Sequence, residues 1–175
     1  MMAALRRRFR LYSYRSNGWV FSKVRREMFI QEYPQWKRFY LPFSMRGLTV
    51  LDVGAGEGET ARFFLENGAK KIVCIEPNHR AFEYLLGNAR HRPMECFNKR
   101  FDLDDLVFRF FDFMKMDIEG YEEQLLGVQL EKPSVIEIHG LQLRDKFNGG
   151  GYMIKDVGHD DRCCTCYAYW GISHV

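Results

Sequence analysis

The chain has no run of about eighteen apolar residues, the least that a spanning helix needs, and no apolar core near its start like that of a secretory signal. The expectation is a soluble, cytoplasmic protein with no membrane span. Its five cysteines, Cys74, Cys96, Cys163, Cys164 and Cys166, are odd in number and include no C-x-x-C pair, which argues against a disulfide framework. His159 ahead of Cys163-Cys164-x-Cys166 invites a zinc reading. Neighbours along a strand point to opposite faces, however, and no second cluster exists, so these read as core cysteines. Neither an internal repeat nor a low-complexity tract interrupts the 175 residues, a length that suits one domain with its own core. An apolar share of 46% against 28% charged excludes global disorder.

Acids are nearly missing from the beginning. The first 48 residues hold eleven Lys or Arg against Glu27 and Glu32, so the rest is net negative although the whole chain carries only +3. Such an arm attracts phosphate-bearing partners, nucleic acid among them, or is simply a solvated extension. An Arg-rich, acid-poor start is also the pattern of organellar transit peptides. Residues 1–46 read as a basic, aromatic extension whose one or two helices, interrupted at Pro34 and Pro42, pack on the sheet of the main domain. Trp19, Phe21, Phe29, Trp36, Phe39 and Phe43 read as core or lid.

From residue 47 to residue 175 short apolar runs alternate with helical patterns, the mark of an α/β domain. Strands are predicted over 48–53, 71–76, near 96, over 110–116 and over 134–138. Helices are predicted over 59–67, closed by Gly68, over 80–89 with Asn78 as cap, and over 121–126, with a helical turn at 104–106. Segments 152–157 and 164–170 read as a terminal antiparallel pair. The expected architecture is a Rossmann-like, mostly parallel sheet with a terminal antiparallel strand and an N-terminal helical extension.

The sharpest motif is Asp52-Val53-Gly54-Ala55-Gly56-Glu57-Gly58, between the first of these strands and its helix. Glycines let the backbone turn tightly and approach a ligand. A dinucleotide loop reads G-x-G-x-x-G, whereas the third glycine here comes one place early, and Asp52 and Glu57 repel a pyrophosphate. They suit a cationic ligand with an amino-acid tail. Glu76, ending the next strand, can accept two hydrogen bonds from ribose hydroxyls, and Pro77-Asn78 then turn the chain away. This combination resembles the class I S-adenosylmethionine-dependent methyltransferases. The resemblance implies S-adenosylmethionine as cofactor, held by Asp52, Gly54, Ala55, Gly56, Glu57, Glu76, Pro77, Asn78 and Asp117.

Three further blocks, Leu103-Asp104-Asp105-Leu106, Lys115-Met116-Asp117-Ile118-Glu119-Gly120-Tyr121-Glu122 and Pro133-Ser134-Val135-Ile136-Glu137-Ile138-His139, stand in the order of the FkbM family and are similar to its motifs. The resemblance covers roughly residues 48–157 and implies O-methylation of a small-molecule or glycan acceptor. The stretch between Asn88 and Asp104 is shorter than the family pattern, and no residue is assigned to adenine. Asp117, Glu119 and His139 are the catalytic candidates, with His139 as general base. Asp117 and Glu119 can bind the cofactor amine, orient the acceptor or join His139 around a divalent metal, and no metal is assigned. The stem of Lys115 is expected to pack with its head in solvent. The alternatives are RNA methylation guided by the basic arm, against which stands the lack of an N-P-P-Y block, and a binding module without turnover.

Overall fold

A computed structural model gives the fold for residues 13–108, 110–160 and 163–172. A hairpin of β1 (Ser13–Ser16) and β2 (Trp19–Ser22) leads into α1 (Lys23–Tyr40). The chain continues through β3 (Thr49–Val53), α2 (Glu59–Glu66), β4 (Lys71–Ile75), α3 (His79–Ala89), β5 (Met94–Phe97), α4 (Asp104–Phe108) and β6 (Phe113–Met116). A 3-10 turn (Glu122–Leu125), β7 (Ser134–His139), α5 (Leu141–Gly149), β8 (Met153–Asp160) and β9 (Cys163–Trp170) complete it.

Seven strands form one sheet in the order β5-β4-β3-β6-β7-β9-β8. Those from β5 to β7 are parallel, and β9 runs against both of its neighbours. Side chains alternate between two buried faces, as they must in a sheet covered on both sides. Val50, Ile72, Cys74, Phe113 and Val135 join one cluster with Trp36, Phe39, Phe63 and Phe64; Leu51, Val73, Met114, Ile136 and Ile138 join another with Leu125 and Phe147.

The N-terminal stretch departs from its expected form. Residues 19–22 are a strand rather than helix, and α1 runs straight through Pro34. A proline there removes the bond to the carbonyl of Ile30, but Pro34 and Ile30 are both exposed, so water satisfies that carbonyl. Pro42 does mark an end, because the residue before a proline is pushed out of the helical region; Leu41 is the C-cap, at φ −117. Trp19, Phe21, Trp36 and Phe39 are buried as expected, whereas Phe43 stays partly exposed with its ring edge-on to Phe113. α5 was not foreseen: it buries only Phe147, and the glycines just after it mask it as loop. Arg6, Arg7, Arg8 and Arg10 lie outside the described residues.

One buried amide fastens the hairpin to the sheet. Asn88, on α3, accepts from the amide of Val20 and donates to the carbonyls of Val20 and Glu57, each at 2.8 Å. Asn88→Ala strands these backbone groups with little access to water, at about 1–3 kcal/mol per group. The expected result is a loss of about 2–4 kcal/mol in urea unfolding, with faster hydrogen exchange at Val20.

Candidate active site

The chain leaves β3 toward β4 on one side and returns through β6 on the other, so the crevice at the carboxyl ends of β3 and β6 is the topological switch point where ligands of open α/β sheets bind. The glycine loop lies there, locked from both flanks. The amide of Gly54 donates to Ile75 (2.9 Å) and that of Asp117 donates to Val53 (3.0 Å). Gly54 has φ +74, and a Cβ on it would stand 1.7 Å from the Asp117 carbonyl, so no other residue fits. Gly58 caps α2 at φ +100 where Leu85 and Trp19 crowd in.

Beyond the loop opens a cleft of about 930 Å³ walled by Gly54, Gly56, Glu76, Pro77, Asn78 and Asp117, with Phe101, Ile118 and Tyr121 opposite. One Glu76 oxygen accepts from the Gly56 amide (2.8 Å) and the other from Asn78 (2.7 Å). Each oxygen keeps a second lone pair. Burial pushes the Glu76 carboxyl above its usual range although both amides oppose this. Asn78 also caps α3, accepting from Arg80 and Ala81.

Three of the residues expected to hold the cofactor do not line this cleft. Asp52 lies beneath the loop, accepting from Thr60 Oγ1 (2.6 Å). Glu57 turns to the hairpin and accepts from the amide of Ser22 (2.6 Å). Ala55 lines a smaller cavity under α1, beside Trp36 and Tyr40. Lys115 is the plain correction. Its head is not in solvent: the side chain is 1% exposed, and Nζ donates to the Gly54 carbonyl (3.1 Å) and lies 3.3 Å from Asp52 Oδ1 and 3.9 Å from Asp117 Oδ2. Asp52 and Lys115 are register partners on adjacent strands, so their side chains share a face. Burial works to lower the Lys115 pKa, but the charges of Asp52, Asp117 and Glu137 outweigh it and favour the ammonium.

β6 and β7 are parallel neighbours, and Asp117, Glu119, Glu137 and His139 meet at their carboxyl ends. His139 Nδ1 lies 3.1 Å from Glu122 Oε1, while Nε2 lies 3.8 Å from Glu119 and 4.0 Å from both Asp117 and Glu137. The bond to Glu122, helped by Asp117, Glu137 and Glu119, raises His139 to about 9, which favours an imidazolium over a free base at neutral pH. Burial and the charge of Asp117 raise Glu137 to about 7. Glu119 reaches the cluster from a left-handed backbone, at φ +52.

Sequence reasoning did not assign Glu122, Tyr40 or Arg25 to the site. Glu122 was visible as the last residue of its block. Tyr40, which donates to Glu137, and Arg25, which lines the cleft, arrive on α1 from a distant part of the chain and left no local signal.

No family model matches the chain. Among curated proteins it is 28% identical over 125 residues to a tRNA U34 carboxymethyltransferase of Pseudomonas aeruginosa, covering 70% of this chain but 36% of that protein. The chain thus spans about a third of the length of the curated relatives it matches. Among solved structures it superposes on fibrillarin from Aeropyrum pernix with bound S-adenosyl-L-methionine (TM-score 0.55, 20% identity, 73% of this chain and 68% of that one). It also superposes on a methyltransferase from Pyrococcus furiosus (TM-score 0.53, 17% identity, 92% and 89%). The fold is that of the class I S-adenosylmethionine-dependent methyltransferases.

The charges around the loop make two outcomes measurable. Lys115→Met leaves Asp52 buried without its cation and should cost about 3–5 kcal/mol in denaturant unfolding, part of which Asp52→Asn restores in the double variant. Glu59, buried under the loop beside Arg25, has its carboxyl raised to about 7 by desolvation. The folded state therefore binds a proton that the unfolded chain releases near 4.5, and stability falls as pH rises from about 4.5 to about 7. Glu59→Gln should flatten that part of the pH–stability profile, by on the order of 1–3 kcal/mol.

Proposed function

We propose that the chain binds S-adenosylmethionine in the cleft and catalyses methyl transfer to a hydroxyl oxygen held near Asp117, Glu119 and His139. The observation that carries this reading is Glu76: a carboxylate fixed by two backbone amides, with lone pairs to spare, one strand away from a loop that admits no side chain at Gly54. That pairing suits ribose hydroxyls at Glu76 and an amino-acid tail between the loop and Asp117. Ile75, Phe101 and Ile118 give the cleft an apolar wall suited to a flat base.

When bound, the cofactor supplies an electrophilic methyl group on a sulfonium, which becomes a neutral thioether on transfer. The protein's part is alignment and removal of a proton. Asp117 is shared between the cleft and the cluster, so it can orient cofactor and acceptor together. The hydroxyl proton passes to the carboxylates of the cluster, with Glu119 the most open of them at 81% side-chain exposure. His139, raised toward its cationic form, balances their charge. The order of the blocks 103–106, 115–122 and 133–139 supports an O-methyltransferase of FkbM type.

RNA as acceptor is a second reading, supported by the name of the tRNA-modifying relatives and by Lys23, Lys37 and Arg38 standing exposed along α1. Incubating the protein with methyl-labelled cofactor and fractionated cell extract separates the two. Label that survives ribonuclease in small molecules or glycans supports the first reading, and label released by ribonuclease supports the second. Calorimetry tests the cofactor itself: Glu76→Ala should weaken binding by about 1.5–3 kcal/mol, the range for hydrogen bonds to a charged group. Unchanged affinity would remove Glu76 from the ribose.

A further inference from the structure

The side chains beyond β6 and β7 carry more negative charge than methyl transfer requires. Four carboxylates, Asp117, Glu119, Glu122 and Glu137, stand within 4.0 Å of a nitrogen of one imidazole. Lys115 lies 3.9 Å from Asp117 but is already committed to Asp52 and the Gly54 carbonyl. Glu137 is engaged by the hydroxyl of Tyr40. What remains facing one point is Nε2 of His139 and one oxygen each of Asp117 and Glu119, all within 4.8 Å of one another.

We propose that Asp117, Glu119 and His139 form a binding site for a divalent cation of the magnesium–manganese class, which displaces the Nε2 proton of His139 to solvent, with Glu122 fixing the imidazole behind it. This rests on the methyltransferase reading only for its purpose, since the site itself is argued from geometry. Ligands about 2.1 Å from one ion lie roughly 3 Å apart when adjacent and roughly 4.2 Å apart when opposite. The separations of 3.8 and 4.0 Å from Nε2 are wider than those of an adjacent pair, so the side chains draw in by about 1 Å around the ion, a movement open to the exposed Glu119.

Two observations from outside the trio's own spacing support it. Glu122, whose side chain is wholly buried, takes Nδ1 and thereby presents Nε2 forward, the arrangement by which an outer carboxylate orients a metal-binding histidine. Asp117 Oδ1, the oxygen turned to His139, is shielded from solvent and has no hydrogen-bond partner among the described residues. Its nearest positive group is the imidazole, 4.0 Å away and beyond hydrogen-bond reach, so a cation at coordination distance would meet this oxygen better. Two carboxylates and one imidazole leave room in an octahedral shell for water and one acceptor oxygen, and carboxylate-rich sets favour magnesium and manganese over softer ions. Asp117 and Glu119 line the cleft, so a bound ion would meet the acceptor where the methyl group is delivered, and a hydroxyl on the ion gives up its proton to water more readily.

The test is titration of the whole chain with Mn2+ alone, following the loss of the free-ion signal by electron paramagnetic resonance. One ion per chain is expected, with affinity falling at least tenfold in Glu119→Gln and in His139→Ala, and about 10–100-fold in Glu122→Gln, the range for an outer partner. Glu119 is exposed, so Glu119→Gln keeps the fold, and a cooperative melt checks this for each variant. No binding by the wild type at millimolar Mn2+, or binding that survives in both Glu119→Gln and His139→Ala, overturns the site. Calorimetry with S-adenosylmethionine keeps the two readings apart. Cofactor binding without Mn2+ binding defeats the cation site alone, and Mn2+ binding without cofactor binding defeats the methyltransferase reading alone.

Discussion

A single buried ammonium sets the geometry of the switch point. Lys115 stands on β6 beside Asp52 of β3, and its Nζ holds the Gly54 carbonyl at the place where the loop leaves the strand. A charge taken out of water is tolerated only when paired and hydrogen-bonded, so Asp52, Asp117 and the carbonyl must all stay where they are for Lys115 to remain buried. That requirement fixes the floor of the cleft. It also ties β3 to the end of β6, because Gly54 approaches the backbone of Asp117, the residue after β6, too closely for any side chain. The cluster around His139 is built outward from Asp117, and the wall of the cleft is built from the loop to Glu76.

The alternation of strands and helices from residue 48 onward was legible because parallel strands buried on both faces give continuous apolar runs, and Val50, Ile72, Phe113 and Val135 mark them clearly. The glycine loop and Glu76 were legible for a different reason: backbone conformations open only to glycine, and an acid at a strand end, leave a local imprint. Lys115 was misread because burial of a lysine depends on partners 61 and 63 positions earlier in the chain, which no local pattern reveals. The same holds for Tyr40 and Arg25. The hairpin ahead of α1 escaped notice because two four-residue strands depend on support from groups remote in sequence, Asn88 and Glu57 among them.

These tertiary ties also change the standing of the N-terminal stretch. Trp36, Phe39 and Tyr40 share the core with Phe63, Phe113 and Tyr167, and Arg25 and Glu32 face the cavities beside the loop. The hairpin grips Glu57 through the Ser22 amide, so motion of this stretch would be felt by the loop directly. Part of the basic charge near the start of the chain is thus carried by a helix that also covers one face of the sheet and borders the site.

The most direct measurement is a crystal structure with S-adenosylhomocysteine, the demethylated cofactor. The account predicts the ribose hydroxyls on Glu76, the amino-acid tail between the Gly54–Gly56 loop and Asp117, and the sulfur turned toward Asp117 and His139. A ligand seated away from Glu76 and the glycine loop, or turned so that its sulfur points away from Asp117, would contradict it.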